Sequence, residues 1–204
     1  MNSNISQLKN EKELLDKELS SAFPHMKLVF GEGDPLSPIV FIGEAPGKQE
    51  EEQGKPFVGK AGKNLSSFLE VLEYDRSEIY ITNAVKFRPT KTSLKGTVSN
   101  RTPTTKEIEQ MMPYLHRELS IISPKIVVTL GNTPLYSVLM DKSVKIGDVH
   151  GTAIPASIGN TEFTLVPFYH PAAIIYNRAL EDEYKKDLQR LIEIRRSIPQ
   201  SILL

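Results

Sequence analysis

Two periodicities alternate along the chain. "IVFIG" (39–43), "IYITNAV" (79–85) and "KIVVTLG" (125–131) are short, almost wholly apolar and rich in β-branched residues. They read as strands buried on both faces. Between them the apolar residues recur every three or four positions, which predicts helices. Residues 5–20 carry Ile5, Leu8, Leu15 and Leu19, and residues 60–73 carry Leu65, Phe68, Leu69 and Leu72. A third helix begins near Thr104, where Thr104 and Glu107 fit a capping box. Its inner face is Ile108, Met111, Met112, Leu115 and Leu119. Asn132 or Thr133 caps a short helix through Met140, and Tyr184, Leu188, Leu191 and Ile192 line a last helix over 181–196. Gly159–Asn160, between "TAIPAS" and "EFTLVPFYHP", predicts a hairpin. Residues 86–103, rich in Pro, Thr, Ser, Lys and Arg, are expected to form a long loop.

Strands that are apolar throughout, alternating with helices, predict an α/β fold with a parallel sheet covered on both faces. Ligands bind such sheets beyond the carboxyl ends of the strands. "GEAPG", "TNAVKFRP" and "YHPAA" each follow a strand, so they are expected to meet at one edge of the sheet.

Charge and composition narrow the chemistry. Lys plus Arg equals Asp plus Glu at 25 each, so the molecule as a whole is no polycation. Yet Lys86, Arg88, Lys91, Lys95, Arg101 and Lys106 fall in one segment without an acid, which suits either a solvated loop or a polyanion contact. The chain has no cysteine, which excludes disulfides, thiolate nucleophiles and cysteine-held zinc or iron–sulfur centres. Its four histidines share no close spacing. No apolar run approaches the roughly 20 residues that cross a bilayer. The polar N-terminus is no secretory signal, so a cytoplasmic location is expected.

"FIGEAPGKQEEEQGKPFVGKAG" (41–62) concentrates glycine, proline and glutamate in one loop. As a phosphate cradle it lacks both GxxxxGK[ST] and GxGxxG, and its glutamates would repel an anion. As a carboxylate metal site it is poor, because consecutive Glu50, Glu51 and Glu52 cannot all point at one ion. As a shaped loop it would bring backbone close to a flat ligand, with Phe57 as an exposed stacking face.

The same stretch closely resembles the first signature of family 4 uracil-DNA glycosylases, roughly GEAPGxxEDxxGxPFVGxAG. "YITNAVKFRP" resembles that family's TNxVKCRPP segment, and "FYHPAA" its second signature, which begins with HP. The three occur in order, and the resemblance spans about residues 28–195. It implies a three-layer α/β/α sandwich around a mostly parallel four-stranded sheet. The chain is then expected to be a single domain over 1–204, with a helical extension at 1–25 and a core at 28–195. It further implies a cytoplasmic, monomeric base-excision repair hydrolase. Such an enzyme cleaves the N-glycosidic bond of uracil in DNA, releases free uracil and leaves an abasic site, with no membrane partner.

Site roles follow by position. Phe57 would stack on the flipped uracil and Asn83 would read its edge. His170 would donate to O2 as charge develops. Glu44 and Ala45 would line the pocket and hold water. Glu50 would sit beside the C5 edge. Lys86, Arg88 and Lys91 would contact phosphates, and Ile174, Tyr176 or Arg178 would lie near the minor groove. One departure stands out: the family's cluster cysteines are absent, with Phe87 and Met111 at two of their positions. No cofactor and no metal are therefore expected, with apolar packing in the cluster's place. Two other readings stay open: a glycosylase for another deaminated base such as hypoxanthine or xanthine, and a catalytically weak DNA-binding module.

Overall fold

The computed structural model describes residues 2–173, 177 and 180–198. A six-stranded mixed sheet forms its centre. The strands are β1 (Glu32–Gly33), β2 (Ile39–Gly43), β3 (Tyr80–Asn83), β6 (Ile126–Leu130), β7 (Ile154–Ile158) and β8 (Thr161–Phe168), in the order β1-β3-β2-β6-β8-β7. The four inner strands, β3, β2, β6 and β8, run parallel. The expectation of four strands is thus corrected to six, because an antiparallel strand is added at each edge. One outer strand, β7, comes from the hairpin turned at Gly159–Asn160. The other, β1, is a two-residue polar strand without an apolar signal.

Alternation within β2 explains the layering. Ile39 and Phe41 face one apolar cluster with Leu65 and Leu69 of α3 (Lys60–Val71) and Tyr184, Leu188 and Leu191 of the last helix, Leu180–Ser197. Val40 and Ile42 face the other. There they meet Leu115 and Leu119 of α4 (Thr105–Ile122) and Leu135 and Val138 of α5 (Asn132–Leu139). Each β2 residue is buried on one side or the other, so neither face of this strand tolerates a polar substitution. The predicted capping box opens α4: Thr104 Oγ1 accepts from the Glu107 N–H, and Glu107 returns to the Thr104 N–H at 2.7 Å.

A third apolar cluster joins Leu19 of α1 (Asn2–Ala22) to Val85, Phe87, Ile108, Met111 and Met112. Phe87 and Met111 therefore pack together against α1. A phenyl ring and a carbon-surrounded thioether cannot replace thiolates as cluster ligands, so the residues present do not fit an iron–sulfur cluster.

Two stretches differ from expectation. Within 41–62 lies a short helix, α2 (Lys48–Gln53), with Glu50 and Glu51 in its first turn, where the positive end of the helix dipole favours acids. The long loop 86–103 contains a hairpin of β4 (Thr90–Thr92) and β5 (Val98–Asn100). It has no buried face, so hydrophobic periodicity could not announce it.

Lys86 is also corrected. It is 2% exposed and meets no solvent phosphate. Its ammonium donates to Glu118 Oε2 at 2.6 Å, to the Asn83 carbonyl at 2.8 Å and to the Thr82 hydroxyl. Tyr80 OH and Thr82 Oγ1 complete the coordination of Glu118. Burial works against the charged Glu118, but the ammonium groups of Lys86 and Lys12 outweigh it and hold the carboxyl below its ordinary range. Removing one partner strands the other charge in the core. Lys86→Ala and Glu118→Ala should therefore each cost about 3–5 kcal/mol in urea unfolding, and Lys86→Met with Glu118→Leu should recover much of it. A phosphate-contacting Lys86 would instead leave stability unchanged.

Candidate active site

The carboxyl ends of β2, β3 and β8 open onto one cavity of about 400 Å³. Glu44, Ala45, Glu50, Phe57, Asn83 and His170, which come from three distant segments, all line it. The ladder continues past the strand ends, where the N–H groups of Ala84 and Val85 donate to the carbonyls of Gly43 and Glu44. This fixes Glu44 and Ala45 beside Asn83.

Asn83 is 3% exposed. Its backbone carbonyl is held by Lys86, while its side-chain amide has no hydrogen-bond partner among the described residues. Opening onto the cavity, the amide is free to bond water or a ligand there. Gly43 makes this placement possible. A Cβ there would lie 2.4 Å from Asn83 Oδ1 and 2.5 Å from the Phe57 ring.

Phe57 is not the exposed stacking face expected from its glycine-flanked position; it is 7% exposed and forms one wall of the cavity. Its φ of +53° is unfavourable for a residue with a side chain. Neighbouring groups impose it. Arg76 donates to the carbonyls of Pro56 and Phe57. Glu50 Oε1 accepts from the N–H groups of Val58 at 3.1 Å and Gly59 at 2.7 Å, and its Oε2 accepts from Gly47 at 3.1 Å. Gly62 lets α3 approach, since a Cβ there would lie 1.9 Å from the Phe57 carbonyl oxygen. The sequence reading missed Arg76; an isolated arginine in "YDRSE" carries no signal of a backbone clamp.

The acidic run divides three ways. Glu50 binds backbone, Glu51 pairs with Arg88 at 3.2 Å and Glu52 approaches Lys48 at 3.7 Å. The expectation of Arg88 as a free phosphate contact is corrected, because its guanidinium is shared between Glu51 and Asn100. Lys91 lies exposed on β4. Arg178, Ile174 and Tyr176 lie outside the described residues.

His170 stacks obliquely toward Phe57, with ring centroids 6.1 Å apart. The Ala172 N–H donates to its Nδ1 at 3.1 Å. A backbone N–H can only donate, so Nδ1 is the unprotonated nitrogen and the neutral ring carries its proton on Nε2. Asn64 Nδ2 donates to the Pro171 carbonyl at 2.9 Å and ties this loop to α3. Glu44 is held by the hydroxyl of Thr133 at 2.7 Å, and burial pushes its carboxyl above the ordinary range against that bond. Thr133, in the first turn of α5, is a second site residue that the sequence reading took only as a cap.

Residues 30–192 match the Uracil DNA glycosylase superfamily. The chain belongs to that superfamily. It is 40% identical over 164 residues to the type-4 uracil-DNA glycosylase of Sulfurisphaera tokodaii, covering 76% of this chain and 71% of that protein. To the type-4 uracil-DNA glycosylase of Archaeoglobus fulgidus it is 35% identical, covering 80% of each. It is also 30% identical to a Bacillus phage SP01 DNA polymerase, of which the match covers only 16%. Among solved structures, wild-type Pedobacter heparinus SMUG2 shares this fold at a TM-score of 0.53 and 14% identity, over 79% of this chain and 75% of that one.

In this superfamily member, burial pushes the His170 ring down to about 4, against the opposing pull of the Glu50 carboxylate. Between the ordinary 6.5 and 4 the unfolded chain binds a proton that the folded chain does not. His170 thus contributes its full stabilisation above pH 6.5 and loses it as pH falls toward 4. Ring NMR should show neutral His170 at pH 5.5 with a titration midpoint near 4, and a midpoint near 6.5 would contradict the buried setting.

Proposed function

We propose that the chain is a monofunctional uracil-DNA glycosylase that hydrolyses the C1′–N1 bond of uracil in DNA. The observation that carries this reading is the Asn83 amide, unpartnered among the described residues, facing the same cavity as neutral His170. The target nucleotide must leave the stack to enter such a cavity. Asn83 accepts from N3–H and donates to O4. Cytosine presents the opposite pattern and is mispaired at a cost of about 1–3 kcal/mol. Phe57 packs on the ring.

As the C1′–N1 bond breaks, its electron pair moves onto the base and the sugar becomes cationic. His170 Nε2–H donates to the developing charge on O2, which can contribute several kcal/mol because the donor is already oriented and desolvated. Water adds to C1′ and releases a proton, and the departing uracil anion is protonated in turn. Glu44, fixed by Thr133, orients that water and faces the cationic sugar. Glu50 acts through Phe57: its carboxylate holds the backbone that places the ring, so it is a positioning residue. Lys91, and Lys48 and Lys60 at the rim, meet phosphates. The enzyme works as a cytoplasmic monomer of one domain, with α1 as an N-terminal extension, and uses no cofactor. The apolar cluster around Phe87 and Met111 fills the place of an iron–sulfur cluster.

A panel of labelled oligonucleotides carrying uracil, hypoxanthine or xanthine, incubated in EDTA and then treated with alkali, tests the reading. Strand breaks only after alkali, and only with uracil, are expected. Asn83→Ala and His170→Ala should lower the single-turnover rate by at least 100-fold while binding of abasic DNA persists. No abasic product from uracil would overturn the assignment. A second comparison probes the clamp. Arg76→Ala should lower kcat by about 10-fold or more, as a misplaced ring costs orientation, with little change in affinity for abasic DNA.

A further inference from the structure

The hairpin of β4 and β5 is unaccounted for by the cavity chemistry. Residues 91–100 are all exposed, including Leu94 at 109% and Val98 at 52%. An isolated two-stranded ribbon is marginal in water, yet this one is well formed. Ser93 accepts from the Gly96 N–H at 2.9 Å, its hydroxyl accepts from the Thr97 N–H at 3.1 Å, and Gly96 takes the left-handed conformation the turn needs. The base of the hairpin is fastened as well. Arg88 bonds Asn100 at 2.7 Å, and Arg101 bonds the Thr90 carbonyl at 3.0 Å while its guanidinium clasps Glu107. The fold thus holds out a shaped arm whose tip is an exposed leucine.

We propose that this arm is a second nucleic-acid contact, which grips the strand flanking the flipped nucleotide. Leu94 packs against a neighbouring base, and Lys91 and Lys95 meet its phosphates. The inference rests on the DNA-directed reading above. Two observations select this partner. The arm is continuous with the cavity, since Pro89, Asn100 and Arg101 at its base also line the cavity mouth. Residues 89–106 carry Lys91, Lys95, Arg101 and Lys106 but no Asp or Glu, which complements a polyanion. A protein partner would be expected to meet a broader apolar centre depleted of charge, whereas here one leucine adjoins a lysine. The arm is long enough. From Thr90 to Leu94 it spans about 13 Å at about 3.3 Å per residue, or about four nucleotides at about 3.4 Å per nucleotide of one strand.

The test measures fluorescence anisotropy of the full chain on abasic oligonucleotides of 5 and 25 nucleotides, across a salt series. Uracil release by the unmodified chain is assayed in parallel. Every substituted side chain is exposed, so melting temperatures should match the parent. On the 25-mer, Lys91→Ala with Lys95→Ala should weaken binding about 10-fold at low salt. The same pair should also flatten the log–log salt slope by about 1.4–1.8, as expected for two lost phosphate contacts. Leu94→Ser should weaken binding about 3–10-fold with the slope unchanged. Both losses should shrink on the 5-mer, which cannot reach the tip. Unchanged 25-mer binding in both variants overturns the proposal and sends the arm to a protein partner. Equal losses on both lengths also overturn it, because the residues would then act at the cavity. Hairpin-dependent binding without uracil release would sink the glycosylase reading and leave the arm standing.

Discussion

The carboxylate of Glu50 is the fixed point of the site. It gathers three backbone N–H groups from both ends of the 47–59 turn. No hydrophobic contact could do this, because the turn is too polar and too rich in glycine to pack itself. Once those amides converge, the chain between them must reverse, and Phe57 is carried into a left-handed conformation it would not choose. Arg76 takes the two carbonyls that the reversal turns outward. Acid inside and base outside thus clamp one loop, and an aromatic wall results. Glu50, whose charge would repel a phosphate, is what makes the loop rigid.

The neighbouring strand end is fixed by a different device with the same logic. Lys86 and Glu118 form a buried ion pair whose third contact is the Asn83 carbonyl. A pair so deep offers little net stability compared with apolar packing. Its advantage is geometric. The ammonium immobilises the backbone of Asn83, so the side-chain amide is presented to the cavity with no hydrogen-bond partner among the described residues. His170 follows the pattern too: a backbone N–H sets its tautomer, and burial keeps it neutral. All three groups are oriented by polar contacts behind them and left unpaired in front, which is how a preorganised site avoids reorganisation cost.

Legibility in the sequence follows from burial. The inner strands and the long helices were readable because apolar periodicity reports which side faces the core. The arrival of residues 44, 57, 83 and 170 at one edge followed from parallel topology. What escaped was held by polar contacts. β1 has two polar residues, and the hairpin at 90–100 has no inner face. Lys86 resembled its basic neighbours because charge alone does not say which way a side chain turns. A signal did exist: Glu118 sits among Leu115, Leu119 and Ile122 on the buried stripe of α4, and an acid there demands a buried cation.

The apolar cluster beside the site shows how the fold manages without cysteines. Phe87 lies four residues beyond Asn83, and Leu28 bridges to it across the sheet edge. Holding that segment requires a partner on its far side, and α1 supplies it through Leu19 while Met111 fills the centre. A thioether chain adapts to irregular space better than a branched one, which suits the packing among α4, the loop after β3 and the N-terminal helix. The dependence runs both ways. Arg117 of α4 and Glu18 of α1 add only an exposed ion pair of small worth, so the apolar contact, with Lys12 lying over the Phe30 and Tyr80 rings, carries the attachment of α1. The N-terminal helix is therefore part of what holds the chain beyond Asn83 in place, although it contributes no side chain to the cavity.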